Sequence, residues 1–342
     1  MASIALWKIP KNQTSKLPRN VAKARKLDLE IQSRKTIIQI LVSLILVVGL
    51  FFTWQQIFHI EDQIMSNQQF QQRQFKENQN SREMELFTKA VDQLSSDQLS
   101  VRLGGIYVLE HIAEDSKKDH DQVMEVLVTY IKSRFPSEKK KNEFINNKNV
   151  PADMQAIMGV FKIRKWTNKE NKSLDLSKTN LQKVDLTGAN LSNINLAGAD
   201  LRGSILNGAN LKRVNLEKAN LHGAEIFGAN LEEAVLKNAN LEDAQAREAN
   251  LRAATLRNAW LANTNFIEAN LIDTDLEDAM LRGADFRRAS LYGANLNQAD
   301  LREANLKGSV LSFERSSVKN LTNIQLSETS IDKTTKLPDY LK

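Results

Sequence analysis

A five-residue period constrains this chain more than any other feature of its sequence. From Leu176 to Leu311 a bulky apolar residue recurs at every fifth position, and we call each of these 28 positions a centre. Leu, Ile or Phe occupies 27 of the 28 centres, and Ala246 is the exception. Ala stands two residues before the centre in 19 of the 28 repeats, and Asn or Asp stands one residue before it in 19. Neither a helix nor a simple strand repeats every five residues. A fixed short period held over this length predicts a solenoid.

The repeat also indicates which side chains face inward. The Ala and the centre are two residues apart, so both point to the same side, as in a strand. The two positions after the centre are mostly polar and are expected outside. Nine of the 13 Gly stand two residues after a centre, where a type II turn favours Gly or Asn. Gly188, Gly208 and Gly228 recur at intervals of 20, which indicates four repeats per coil.

Repeats such as ANLSN at 189–193 and ADLRG at 199–203 closely resemble the pentapeptide-repeat family, A(D/N)LXX. The resemblance implies a mainly β fold, a right-handed quadrilateral β-helix of about seven to eight coils, over residues 172–331. The stretches 101–119 and 123–136 resemble the helical segment before the repeats in many bacterial membrane-attached members. TKLP at 335–338 resembles their C-terminal ending, and residues 332–342 are expected to be a tail.

An apolar segment precedes the repeats. Residues 36–60 contain no Asp, Glu, Lys or Arg, and some 20 apolar residues span a bilayer as a helix, so residues 36–58 are predicted to be a transmembrane helix. Residues 1–35 carry nine Lys and Arg against two acids and form a basic arm. Residues 16–35 hold seven Lys and Arg, whereas residues 61–80 hold two, which favours a cytoplasmic N-terminus in the inner membrane and a body outside. Relatives of this type often carry two spans, which would keep their repeats in the cytoplasm.

Two regions connect the span to the repeats. Residues 59–81 are rich in Gln and Asn, and both a helical stalk and a flexible polar linker fit them; a parallel coiled coil has only weak support. Residues 82–166 show four amphipathic patterns, which predict a small helical domain. The predicted inward faces are Met84, Phe87, Val91 and Leu94; Val101, Leu103, Ile106, Leu109 and Ile112; Val123, Val126, Leu127, Tyr130 and Ile131; and Met154, Ile157, Met158 and Phe161. The last of these helices is expected to cover one end of the repeat column.

The sequence favours a non-enzymatic function. It contains no Cys, which excludes disulfides and thiolate chemistry, and no phosphate loop, G-x-S-x-G, H-E-x-x-H or calcium loop. We expect no catalytic residues, cofactor, metal or small-molecule substrate. A membrane-anchored scaffold that binds a protein partner, and lipid through residues 36–58, is the favoured interpretation. The alternative, raised by the resemblance, is a topoisomerase-directed DNA mimic if the body is cytoplasmic. Residues 172–331 mix 20 acids with 18 bases, which argues against mimicry and against nucleic-acid binding.

Few outward positions of the repeats are apolar. Phe227 and Ile267 are expected in one column with Arg247 between them, and Ile272 next to Tyr292 in another, which makes these five residues candidate partner contacts. Ordinary surface apolar residues are the competing interpretation. A second candidate is the arginine group Arg282, Arg287, Arg288 and Arg302, for which solvated surface charge is the simpler interpretation.

Overall fold

The computed structural model describes residues 19–115, 117–137, 150–162, 174–313 and 316–341. The chain divides into two units, Met1–Ser81 and Arg82–Lys342. The helices are α1 (Arg19–Leu94), α2 (Leu99–Asp115), α3 (Lys117–Arg134), α4 (Ala152–Lys162) and α5 (Asn323–Ser327), with a 3-10 helix at Asp339–Leu341. Strands β1 (Ser312–Phe313) and β2 (Ser316–Ser317) form a short antiparallel pair.

Helix α1 is longer than the predicted membrane span. It begins at Arg19, so residues 19–35 of the predicted basic arm are helical, and residues 1–18 lie outside the described residues. It also runs through residues 59–81, so this stretch is helical and continuous with the apolar segment. Within the described residues, this is the single helix long and apolar enough to cross a membrane, and its apolar window is not buried. A membrane anchor and a signal sequence share these properties.

The last turns of α1 pack with α2, α3 and α4 into a small helical core. Phe161, Ile106, Leu109, Leu127, Ile131, Ile157 and Met158 are fully buried in it. Helix α2 approaches α1 closely, because a Cβ on Gly105 would lie 2.6 Å from the Ala90 carbonyl oxygen. The prediction was wrong for Met84, which is 60% exposed, and incomplete for α2, whose buried face also includes Arg102.

From residue 174 the chain winds into a four-sided column. Parallel bridges join residues 20 apart, beginning with Asp175 to Asn195 and Asn180 to Asp200, so each coil contains four repeats as the glycine spacing predicted. The centres and the alanines two positions before them fill the interior, and each is 3% exposed or less from Leu176 to Leu311. Ala246 is adjacent in its column to Phe266, whose ring stacks on Phe286 with centroids 5.2 Å apart. A small centre beside two large ones keeps the interior filled without overpacking it.

The second residue after each centre turns the corner. All nine glycines predicted for this position have positive φ, from 60° to 79°. Non-glycine residues at the equivalent positions also have φ near 60°, for example Ala253 at 55°. The ladder of hydrogen bonds between coils therefore imposes the left-handed conformation where the side chain does not favour it.

Both ends of the column are covered. At the first coil, Asn180 N donates to Phe135 O at 2.8 Å, and Gln155 of α4 exchanges two hydrogen bonds with the backbone of Asp185 at 3.0 and 3.1 Å. Helix α4 thus covers this end, as expected, over its described length to Lys162. At the other end, Gln325 Nε2 donates to the carbonyls of Leu296 and Ala299 at 3.0 and 2.9 Å. The segment predicted to be a tail joins the column, since Lys336 bridges Val310. These contacts satisfy strand edges that would otherwise be open.

Replacing Ser204 by alanine is expected to leave the repeat unit equally stable or to stabilise it by about 1 kcal/mol, because its buried Oγ has no partner among the described residues. Ser309→Ala is the matched change, since Ser309 Oγ donates to Leu306 O at 2.7 Å, and it should cost about 0.5–1.5 kcal/mol. Urea unfolding of residues 82–342 measures both. Greater destabilisation by Ser204→Ala than by Ser309→Ala would contradict the assignment.

Candidate interaction surfaces

Four flat walls form the outside of the column, and each wall presents the residue before the centre and the two residues after it. We name the walls by their first centres: wall A from Leu176, wall B from Leu181, wall C from Leu186 and wall D from Leu191, each continuing at every fourth centre. Successive rungs of one wall are about 4.8 Å apart. Side chains at equivalent positions of successive coils therefore stack in columns along a wall.

The first predicted contact column lies on wall C. Gly228 N donates to Arg247 O and Glu248 N donates to Ile267 O, both at 2.9 Å, so Phe227, Arg247 and Ile267 occupy successive rungs in the predicted order. Phe227 is 46% exposed, and Ile267 is half-buried. Arg247 is on the rung between them, and its guanidinium lies 3.1 Å from Glu248 and 3.6 Å from Glu268.

The second predicted pair lies on wall D. Asp273 N donates to Tyr292 O at 3.2 Å, which makes Ile272 and Tyr292 neighbours on adjacent rungs. Both are half-buried. The Tyr292 ring also contacts Phe313, with centroids 5.6 Å apart, and Phe313 is 48% exposed. Phe313 was not predicted from the sequence, although it stands two residues after the last centre, where an outward side chain is expected.

The arginine group is engaged in ion pairs. Arg282 lies 2.6 Å from Glu303, Arg287 lies 2.7 Å from Asp285, and Arg302 lies 2.6 Å from Asp300. Arg288 pairs with Glu268. Each guanidinium is thus matched by a carboxylate on its own wall or corner, which supports the interpretation as solvated surface charge.

Wall B carries an apolar pair that is not among the predicted contacts. Trp260 and Met280 occupy adjacent rungs, joined by a parallel bridge, and they are 47% and 45% exposed. Both stand one residue before a centre, in the row that is mostly Asn or Asp. Their departure from that row was the signal available in the sequence.

Charge is balanced on every wall. Between residues 174 and 313, walls A, B and C each present five acids and four bases, and wall D presents three of each. Many are paired along a column, as in Lys212 with Glu232 at 2.7 Å and Arg213 with Glu233 at 2.6 Å. No wall in this range therefore presents a continuous field of one sign.

A buried polar network lies in the helical region. Arg102 Nε donates to Asp153 Oδ2 at 2.9 Å, and Tyr130 OH donates to the same oxygen at 2.6 Å. The Arg102 and Asp153 side chains are 7% and 2% exposed. Burial, followed by the hydrogen bond to Asp153, raises the pKa of Tyr130 to about 12.

The network borders an open groove of about 1080 Å³, lined in part by Val91, Leu94, Val126 and Thr129. Arg102, Tyr130 and Asp153 hold α2, α3 and α4 together. These three residues do not place a nucleophile next to a general base, as a catalytic site would.

The repeats match a family model described as pentapeptide repeats, in eight copies between residues 174 and 308. The chain belongs to the pentapeptide-repeat family. This confirms the resemblance drawn from the A(D/N)LXX pattern, and with it the right-handed β-helix that this family forms.

Solved pentapeptide-repeat proteins resemble the chain over about half of its length or less. HetL, a protein involved in heterocyst differentiation regulation from Nostoc sp. strain PCC 7120, is 31% identical, with 41% of this chain and 69% of HetL covered and a TM-score of 0.31. A trypsin-treated form of QnrB1, a plasmid-mediated fluoroquinolone resistance protein, is 18% identical over 47% of this chain and 78% of its own, with a TM-score of 0.42. A pentapeptide-repeat protein of the Arabidopsis thaliana thylakoid lumen is 28% identical, with 36% of this chain and 73% of that protein covered and a TM-score of 0.23. No match is found among curated proteins.

Proposed function

We propose that this pentapeptide-repeat protein is a membrane-anchored, non-enzymatic scaffold whose walls bind a protein partner. The observation that carries the proposal is the filled column, in which the centres from Leu176 to Leu311 and the alanines two positions before them are 3% exposed or less. An enzyme needs a preorganised pocket, and the filled interior of the repeat column leaves only its flat outer walls for binding on the column. Proteins of this family are structural or interaction modules, which agrees with this assignment.

The wall charges oppose the alternative of a topoisomerase-directed DNA mimic. Duplex DNA carries one negative charge per about 1.7 Å, or about 20 over the roughly 34 Å that seven coils span at about 4.8 Å each. Each wall of this column instead pairs at most five acids with at least three bases. A surface of this kind does not reproduce the potential of a nucleic acid.

The membrane anchor and its orientation rest on α1. Residues 16–35, before its apolar stretch, hold seven Lys and Arg, and residues 61–80, after it, hold two. Each Lys or Arg near an anionic leaflet contributes about 1 kcal/mol of electrostatic binding free energy. The charge difference therefore favours the cytoplasm for the N-terminal flank of a lone span. The body would then lie outside the cytoplasmic membrane.

This topology is tested with two fusions after Lys342. We expect an alkaline phosphatase fusion to be active and a green fluorescent protein fusion to be dark, because phosphatase folds in the oxidising space outside and exported fluorescent protein does not fluoresce. Carbonate extraction of the same membranes should leave the chain in the pellet.

The reverse pattern, an inactive phosphatase beside a bright fluorescent fusion, would contradict the outside orientation. The DNA-mimic alternative would then be examined with residues 82–342 in a gyrase supercoiling assay. The fragment includes the helical region, because Phe135 supplies a hydrogen bond to the first coil. The balanced walls predict no inhibition at micromolar concentration, and inhibition would overturn the scaffold proposal.

A further inference from the structure

Wall B departs from the rest of the column at Trp260 and Met280. We name these two residues the Trp-Met patch. Two large apolar side chains on adjacent rungs, each nearly half exposed, form a continuous surface about 10 Å long. Ala262, beside Trp260 on the same rung, extends it with a small side chain. Single exposed apolar residues are ordinary, whereas contiguous ones mark interaction sites.

The patch contributes little to the column itself. The row that contains it reads Asn220, Asn240, Trp260, Met280 and Asp300, so a polar side chain suits the same position on neighbouring rungs. The Trp260 N–H and C=O already pair with Ala239 and Leu241 through the backbone ladder at 2.9 and 2.7 Å. Exposed Trp and Met at a position that accepts Asn indicate a role outside the fold.

The surroundings of the patch are acidic, although wall B as a whole is balanced. From Asn240 to Glu303, the outward residues of wall B and the corner residue Asp278 include five acids and two bases. Both bases are already paired, Arg282 with Glu303 and Arg302 with Asp300, each at 2.6 Å. Glu242 and Asp278 have no salt-bridge partner within 4 Å in the described part of the chain. A net negative charge of three therefore surrounds an apolar centre.

We infer that the Trp-Met patch is a docking site for a basic segment of a partner protein, one with an apolar anchor residue flanked by Lys or Arg. The anchor packs on Trp260 and Met280, and the flanking bases face Glu242 and Asp278. The exposed face of an indole also attracts a Lys or Arg cation. This inference rests on the proposed interaction function and names the class of partner.

The small area of the patch predicts weak binding. Interfaces that bury less than about 1,200 Å² in total belong to transient encounters, so a dissociation constant in the micromolar range or weaker is expected for one peptide. Charged contacts at an exposed rim are screened by salt, so the affinity should fall severalfold between about 50 and 500 mM salt.

The test uses the full chain in phosphatidylcholine nanodiscs and three short, fluorescein-labelled synthetic peptides of equal length. The first has a central Leu-Trp-Leu flanked by lysines, the second has the same centre flanked by glutamates, and the third has lysines around three serines. Fluorescence anisotropy is expected to detect binding of the first peptide, with affinity at least tenfold above that of the other two, since both the anchor and the flanking charge are needed.

The decisive variant is Trp260→Asn with Met280→Asn. Asn already occupies this row at Asn240, so the variant should fold, and it should weaken binding of the first peptide by about tenfold or more. Val235→Asn is the matched control, because Val235 is 39% exposed and follows Asn215 in the same row of wall A. It should change the affinity by less than twofold.

The inference would be overturned by unchanged affinity in the double variant, by equal binding of the glutamate-flanked peptide, or by no binding of the first peptide. Self-association of the full chain that the double variant abolishes would assign the patch to a second copy and would also overturn it. None of these results bears on topology or on gyrase inhibition. A failure of the docking site and a failure of the scaffold proposal are therefore distinguishable.

Discussion

Leu251→Lys is expected to abolish folding of the repeat column at 25 °C. Leu251 is a centre of wall D, 1% exposed, and its neighbours above and below are Leu231 and Leu271, both buried. A fully buried lysine has its pKa depressed by up to 3–5 units, and because the amine can lose its proton, the cost at pH 7 is about 4–5 kcal/mol. Loss of the leucine packing adds about 2 kcal/mol. The sum approaches the whole stability of a typical domain, about 5–15 kcal/mol.

The adjacent residue provides the control. Arg252 is exposed and points away from the interior, so Arg252→Ala should leave the thermal unfolding midpoint nearly unchanged. Circular dichroism melts of residues 82–342 compare the two variants with the wild type. Equal midpoints for the wild type and Leu251→Lys would contradict the inward assignment of the centres and, with it, the alignment of all four walls.

The sequence was sufficient to predict the column because every rung repeats one local rule. Leu251 could be assigned to the interior from its position in a period of five, without knowledge of any contact. The corner conformation was less visible. Glycine at two residues after the centre indicated a left-handed turn, but Glu248 and Ala253 have φ of 59° and 55° at the same position. There the ladder between coils determines the backbone, and the residue type does not reveal it.

The helical region shows the opposite case. Its periodicity identified Ile106, Leu109 and Phe161 as core residues, which are buried. It did not identify Arg102, because a charged residue is expected to be exposed unless it has a partner. The partner, Asp153, lies 51 positions away, and no local pattern joins the two. The burial of a charged residue such as Arg102 is decided by a tertiary contact of this kind, and the local sequence pattern does not contain that information.

The candidate surfaces lie between these two cases. The repeat places Phe227 and Ile267 in one column, and the structure has them there. Trp260 and Met280 could have been found by the same arithmetic, since they interrupt a row of Asn and Asp. Whether an exposed residue binds a partner depends on its surroundings, and the acidic residues around wall B become neighbours of the patch only once the coils are stacked.

Removal of the Asp153 carboxylate should be the second most damaging change to the Arg82–Lys342 unit. Arg102 Nη1 donates to the carbonyls of Ser96 and Asp97 at 3.1 and 2.8 Å, so its charge is fixed in the interior when Asp153 is lost. Removing one partner of a buried ion pair costs about 3–5 kcal/mol, because the remaining charge is uncompensated. We therefore expect Asp153→Ala to lower the free energy of unfolding in urea by that amount.

A double variant separates the loss of the pair from the loss of packing. Arg102→Met with Asp153→Leu replaces both charges by apolar side chains, and it should recover most of the stability that Asp153→Ala loses, since no buried charge remains. Tyr130→Phe, which removes only the hydroxyl that donates to Asp153, should cost about 1–2 kcal/mol. If Asp153→Ala were no more damaging than Tyr130→Phe, the ion pair would not be what joins α2 to α4. The closed end of the column would then depend on the apolar contacts of α4, Met154, Ile157 and Phe161.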